Sequence, residues 1–360
     1  MALGHQRPRH NLLREAHVYS AGVSPDRNGI LFVTELSGHG DEGMRNWIKT
    51  ARRALLAQGC NSELLRLAGD ARWSALLPSS LRSVRRAAPD VLVYVPYSGL
   101  TSKALLRHAA LRAASGSRTD ILAVLQANPV VHRLPRRIGP RVAAYASERL
   151  RAIHTAVAGD SFVLPPAVDA VRFCLADESR TLTRAELGLP SDKPMALHVG
   201  HLRRSRGLEP LTELSAQGVV NVVLVASTAT EPEEGVEAEL RQAGVIVKRE
   251  FLRQIERWYQ AADVYVFPVT DLQGSIEVPL TVLEAMACGT PVATTPFGGL
   301  PSWFASTESF RFAPVTELAK TARAMVGVDG RPNRSVLVGM DEDALGGAVV
   351  SAIRRVSSRG

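Results

Sequence analysis

The sequence predicts an α/β protein built from two doubly wound domains, and three observations predict it. Apolar strands and amphipathic helices alternate along most of the chain, on both sides of Pro165-Pro166. The 360 residues suit two domains of ordinary size, and 46% hydrophobic against 22% charged residues suits sizeable cores. A complete strand–loop–helix–strand unit is written out around residues 258–303.

Residues 1–27 are polar and irregular and are expected to form a disordered leader. Their basic start has no apolar segment of a signal peptide, which argues against secretion. The first strand falls at 29–36, then a Gly-rich loop at 37–43 and a helix at 44–58. Trp47, Ile48, Ala51, Leu55 and Leu56 share one face of that helix. Strands at 62–67, 90–96, 120–125 and 141–146 alternate with helices at 77–88, 103–114 and 148–157, the last capped by Ser147. Phe162-Val163-Leu164 leads into Pro165-Pro166, where the composition places a linker.

Beyond it come a helix near 184–187, a strand at 195–199, a basic loop at 200–207 and a helix from Leu208. A strand at 219–225, an acidic exposed helix at 231–242 and a short strand at 245–248 follow. The organising unit has a helix at 255–262 and a near-continuously apolar strand at 264–267, as parallel strands are. A polar loop, 270–277, opens into a helix at 279–287 with proline early in its first turn. A second buried strand at 291–294 and a tight turn at Phe297-Gly298-Gly299 complete it. A helix N-terminus facing a loop at the carboxyl end of a strand is where an open α/β sheet binds phosphate. A strand and helix in 308–325, a loop at 327–334 and an amphipathic helix at 343–356 close the chain. The expected division is a leader at 1–27, domains at 28–166 and 167–340, and a terminal helix in 341–360.

No apolar run approaches the roughly 20 residues of a membrane span. Cys60, Cys174 and Cys288 stand apart without metal spacing, which fits reduced thiols in a cytoplasmic protein. The net charge of +8 divides into +12 over residues 1–165 and −4 over 166–360. Such asymmetry points either to an anionic partner of the first half or to an arginine-rich coding style. The arginines are scattered over several helices without interleaved aromatics, so nucleic acid is not an expected partner.

AADVYVFP, the loop after it and VPLTVLEAMACGTPVATTPFGG resemble the donor-nucleotide motif of retaining glycosyltransferases of the GT-B fold, family 4. PPAVDAVRF resembles the phrase that ends the family's first domain, and VGHLRRSRG its Val-Gly-Arg-Leu…Lys-Gly phrase. The resemblance implies two Rossmann-like domains facing a cleft, with the terminal helix packed back onto the first. It also implies a cytoplasmic enzyme, peripheral at a membrane or free of one. Its activity would be transfer of a hexosyl group from a nucleoside-diphosphate sugar to a glycan, lipid or small-molecule hydroxyl. A basic first domain would suit an anionic or lipid-linked acceptor, or contact with an anionic membrane. No cofactor is implied, and without a DxD sequence at a strand end no metal is expected.

The same resemblance assigns residues. Gly38, His39 and Gly40 lie in the loop expected to meet donor phosphates or acceptor. Gly200 and Arg206 match the family phrase, with Arg replacing the usual Lys and able to grip a phosphate bidentately. His201 stands where the family has Arg, and Arg203 or Arg204 would compensate for the lost charge. Glu284 is the implied acceptor of the ribose hydroxyls. A second carboxylate should fall at 276, which is Ile, with Glu277 one residue later. Either Glu277 meets the donor sugar, or backbone amides replace the carboxylate. Val278, Leu280 and Thr281 would present amides and one hydroxyl to the diphosphate, with Ser275 also in the donor site, whereas Pro279 has no N–H to give. A histidine usually follows a strand such as 120–125; Gln126 occupies that position here, with His132 shortly after and His39 as a rival. These departures leave a sugar-nucleotide epimerase, or an inactive donor-binding relative, as the alternative reading.

Overall fold

Two six-stranded sheets form the frame, and every strand pairing between described residues is parallel. The structure, a computed structural model, describes residues 29–35, 43–67, 74–97, 99–127, 138–154, 157–225, 231–250 and 252–357. The leader, Gly38, His39, Gly40 and His132 lie outside the described residues.

The first lobe runs β1 (Ile30–Thr34), α1 (Gly43–Ala57), β2 (Ser62–Arg66), α2 (Pro78–Ala87), β3 (Val91–Val95) and α3 (Ser102–Ser115). It continues through β4 (Thr119–Val124), β5 (Val142–Tyr145), α4 (Glu148–Ile153) and β6 (Asp160–Val163), in the sheet order β2-β1-β3-β4-β5-β6. The second lobe begins with α5 (Arg180–Glu186), β7 (Met195–Val199), α6 (Glu209–Ala216), β8 (Val220–Leu224), α7 (Val236–Gln242) and β9 (Ile246–Lys248). Then come α8 (Ile255–Ala261), β10 (Val264–Phe267), α9 (Leu280–Ala287), β11 (Val292–Thr294), α10 (Leu300–Trp303), β12 (Phe310–Phe312) and α11 (Leu318–Ala324). Its sheet order is β12-β11-β10-β7-β8-β9. Two further helices, α12 (Pro332–Val336) and α13 (Glu342–Ser357), end the chain.

The strands are apolar on both faces because helices cover both. In β1, Ile30 and Phe32 enter the layer beneath α1, while Leu31 and Val33 enter the opposite layer with Val84 and Leu105. In β8, Val222 and Val223 divide in the same way.

Three helix starts that differ from those read in the sequence have a local reason. α5 starts at Arg180, earlier than 184, because the Ser179 hydroxyl accepts the Leu182 amide at 3.3 Å. α7 starts only at Val236, since Gly235 takes a left-handed φ of 83° just before it. The segment read as a loop at 327–334 contains the start of α12. Pro332 sits in the first turn, and the buried Asn333 side chain donates to Thr290 O at 3.2 Å and Ser309 O at 3.0 Å.

The chain passes between lobes near Ala167–Val168 and again before α13. The two passages touch, with the Val168 amide donating to Met340 O at 3.2 Å. Arg53 of α1 pairs with both, reaching Asp169 at 3.0 Å and also Glu342. Leu345, Val349 and Ala352 of α13 share a core with Trp47, Ile48, Ala51, Ala54 and Leu55 of α1, so α13 completes the first lobe. The helices approach closely at Gly346, where a Cβ would stand 2.5 Å from Ala54 O.

That contact yields a matched pair of expectations. Gly346→Ala should lower unfolding free energy by about 1–3 kcal/mol through forced separation of α1 and α13. Gly347→Ala, on the same helix with nothing within 4 Å of its Cβ, should be neutral or stabilising by about 0.5–1 kcal/mol. Urea unfolding of both variants checks the difference.

Candidate functional site

In the second sheet β7 and β10 are neighbours, in register at Ala196↔Val264 and Leu197↔Tyr265. Beyond them the strand order runs in opposite directions, so the loops leaving their carboxyl ends part and leave a crevice. The first loop contains Gly200 and His201 and turns through Arg204–Arg206 to Gly207, which has a φ of 62°. A side chain at Gly207 would crowd Pro268 O at 3.1 Å, so the two loops meet there. The second loop ends at Pro279, the N-cap of α9, which offers no side chain to its first turn. The leading amides of α9, at Leu280 and Thr281, therefore lack a capping side chain at the positive end of the helix dipole.

Arg206 is buried, with 6% exposure. Its charge is felt both by His198, one strand position before Val199, and by the Tyr265 hydroxyl. Tyr265, fully buried in β10, also faces Thr281 and the Val199 backbone and lies in the field of Glu284. Arg206 from one loop and Glu284 from α9 thus both act electrostatically on one tyrosine. Glu284 is half-buried and accepts the Tyr259 hydroxyl at 2.7 Å. Burial pushes its carboxyl up to about 7, with Tyr259 and Arg172 opposing the rise and Glu256 adding to it.

Gly200 is needed for a reason the sequence did not give. His198 is fully buried, its Nδ1 lies 2.9 Å from Val266 O, and its Nε2 would stand 2.6 Å from a Cβ at residue 200. The Val266 contact fixes the tautomer with the proton on Nδ1. Burial, opposed by the Val266 contact and aided by Arg206, drives the ring down to about 4, so it stays neutral. His201 is half-buried and Arg203 exposed. Arg204 turns outward to Glu239 at 2.9 Å and to Glu233.

Glu277 sits elsewhere than beside an open sugar site. Its carboxylate is 1% exposed and turned into the first lobe, where Arg149 donates to both oxygens at 2.8 and 2.9 Å and Ser147 Oγ donates at 2.9 Å. Its amide donates to Leu125 O at 2.7 Å, and the Gln126 side chain donates to Gln273 O. Gly298 and Gly299 admit this contact, since Cβ atoms there would meet Glu277 O at 2.6 Å and Ser147 Cβ at 2.7 Å. Ile276 is buried with Trp47 and Leu125 in the first-lobe core. Around it, Leu125, Ala146, Leu164 and Pro165 face Ile276, Val278, Leu280 and Leu283 across a small apolar cavity. The carboxyl edges of the two sheets therefore face each other. Ser275 is half-buried and Val278 buried in the segment that joins this contact to α9.

Sequence reasoning missed Arg149, Tyr259 and Asp263. Asp263 accepts from Arg184 at 2.6 Å, Arg180 at 3.0 Å and the Met195 amide at 2.8 Å, holding the amino ends of β7 and β10. Its place in AADVYV was visible, but its partners lie about 70–80 residues away. Among the described residues, no His, Cys, Asp and Glu group of three could hold a metal ion. Nor is any helix among them long and apolar enough to cross a membrane.

Residues 193–328 match the profile of the family described as "Glycosyl transferases group 1". An alpha-maltose-1-phosphate synthase of Mycobacterium tuberculosis is 32% identical over 193 residues, covering 50% of this chain and 46% of that protein. The chain spans less than half the length of the curated relatives it matches. Sucrose-phosphate synthase from Thermosynechococcus elongatus superposes with a TM-score of 0.72 at 18% identity, over 93% of this chain and 100% of that one. Anabaena Alr3699/HepE in complex with UDP-glucose gives 0.67 at 15% identity, over 91% and 99%. Both likenesses are to the fold, a GT-B arrangement of two α/β lobes.

Breaking the interlobe pair gives a direct measure of it. Arg149→Met should lower unfolding free energy by about 3 kcal/mol, because Glu277 is left buried without its cation. Glu277→Gln in the same chain should restore part of that loss in urea unfolding.

Proposed function

We propose that this chain, whose second lobe belongs to the group 1 glycosyl transferases, moves a hexosyl group from a nucleoside-diphosphate sugar to an acceptor hydroxyl with retention of configuration. The observation that carries the reading is the uncapped start of α9 at the strand-order reversal, with Arg206 and Glu284 both acting electrostatically on the adjoining Tyr265. Glu284 would accept from the ribose hydroxyls. Amides of Leu280 and Thr281, the Thr281 hydroxyl and the backbone at Gly200 would line the diphosphate, with Arg206 beside it. Val278 and Ser275 would border the sugar.

Negative charge grows on the diphosphate as the bond from its oxygen to the sugar's anomeric carbon breaks. A fixed guanidinium and helix-end amides stabilise that charge without reorganising. The acceptor oxygen bonds to the anomeric carbon on the face the leaving group vacates, and its proton passes to a leaving phosphate oxygen. That route assigns no base to the protein and no resident metal to the site. His201, half-buried, stands where a cation would be usual. Arg203, exposed at the turn, is the nearer candidate to add charge, since Arg204 is engaged by Glu239.

Glu277 and Gln126 act by holding the lobes together, and their contact with the transferred sugar is through the position they give the 273–278 segment. For the acceptor, we favour an anionic or lipid-linked molecule at the first lobe. Arg82, Arg85 and Arg86 are exposed along α2, with Leu77 and Leu106 exposed on the same lobe, a composition that suits an anionic membrane surface.

The test is a thermal-shift screen with UDP, GDP, ADP and dTDP, followed by diphosphate release from the matching sugar nucleotides with candidate acceptors. One nucleotide should raise the melting temperature, Glu284→Ala should abolish that rise, and Arg206→Ala should reduce kcat/KM by about 10²–10³. Product anomeric configuration by NMR separates retention from inversion, and an epimerised sugar nucleotide without transfer would favour the alternative chemistry.

A further inference from the structure

We infer that Tyr259 is the positioning residue of the nucleotide site, holding one oxygen of Glu284 so that the other faces the ribose diol. The inference rests on the donor-site reading above and deepens it. Tyr259 is fully buried in the last turn of α8, and its hydroxyl donates to Glu284 Oε2 at 2.7 Å. Among the described residues Glu284 has no second hydrogen-bond partner.

The phenol is held in place from several directions. Its ring packs edge-on against Phe173 at 6.0 Å and 77°, and tilts against Tyr265 at 5.6 Å and 54°. Its own carbonyl accepts the Thr290 hydroxyl at 2.7 Å and the Ala262 amide at 3.1 Å. A glutamate has three rotatable side-chain bonds, whereas this tyrosine has no room to follow it. The glutamate therefore settles on the tyrosine, and the rotamer freedom a ligand would otherwise have to remove is already gone. Oε1, with both lone pairs, remains for the two vicinal hydroxyls.

Charge gives the arrangement a signature. The groups facing Glu284 are Tyr259 and Glu256 from α8, Arg172 from the lobe crossing, Tyr265 from β10 and Cys288 from the end of α9. Burial raises Tyr259 well above its ordinary value, and Glu284 raises it further, so the phenol remains a donor at any working pH. Burial pushes the Glu284 carboxyl up to about 7, and donation by Tyr259 opposes that rise. Only the ionised carboxylate offers all its lone pairs to a diol. Nucleotide affinity should thus increase as pH rises through about 7 and fall as Glu284 takes up a proton below it. Removing the phenol hydroxyl withdraws a stabiliser of the ionised form, so the midpoint must move upward.

The experiment is calorimetric titration of UDP, GDP and ADP, each beside its 2′-deoxy counterpart, across the neutral range. The unaltered chain is compared with Tyr259→Phe, Glu284→Gln and the double variant. Tyr259→Phe keeps the ring and its packing; it should weaken the preferred ribonucleotide about tenfold at neutral pH. It should also narrow the preference for ribose over deoxyribose and raise the pH midpoint. Glu284→Gln should flatten the pH dependence, and adding Tyr259→Phe to it should cost little more. A Tyr259→Phe chain with unaltered midpoint and ribose preference would overturn the inference while leaving the donor reading intact. Equal weakening of ribo- and deoxyribonucleotides with an unmoved midpoint would do the same, marking a packing role only. An unaltered chain that binds none of the six, nor dTDP, would overturn both.

Discussion

A carboxylate with 1% of its surface exposed must carry a counter-charge, and Glu277 finds its counter-charge on the other lobe. Arg149 grips both of its oxygens, Ser147 adds a hydroxyl, and Leu125 takes its amide. Each lobe supplies what the other cannot. The second lobe brings a buried anion, the first a planar, half-buried cation at the start of α4, and the anion could not be buried alone without a large desolvation cost. With Ile276 seated in the first-lobe core on one side and Val278 leading to α9 on the other, the position of α9 is tied to the position of the first lobe.

The second lobe meets this constraint with rigid parts. Tyr265, Tyr259, Phe173 and Phe267 form a packed aromatic floor beneath β7, β10 and α9. Asp263 fastens the far ends of the same strands to α5. Residues that face the crevice thus project from a floor anchored at both ends, so their geometry is preformed and not assembled by a ligand.

Most of the frame was legible in the sequence because parallel strands are apolar on both faces. DVLVYVP and MALHV can be read as buried runs without knowing what covers them. Ser147 was legible as a helix cap for the same local reason, and its hydroxyl does accept the Leu150 amide at 3.1 Å. Its second task, donating to Glu277 130 residues onward, has no local signature. Arg149 looked like any other arginine of a basic half, since its meaning comes from a loop residue of the other lobe. Arg206 and Glu284 were singled out by the family resemblance, whereas Tyr259 had only the pattern of a core residue. Gly200 illustrates the converse: a motif glycine explained by the histidine packed against it, and not by an unusual backbone angle.

The partnership of α1 with α13 has a consequence for how the molecule is made. During synthesis the first lobe leaves the ribosome with the Trp47, Ala51 and Leu55 face of α1 still short of its covering helix. That helix emerges only after the entire second lobe has been translated. Maturation of the amino-terminal half is therefore delayed until the second lobe has been made, and in the interval its greasy flank is open to chaperones or to a neighbouring nascent chain.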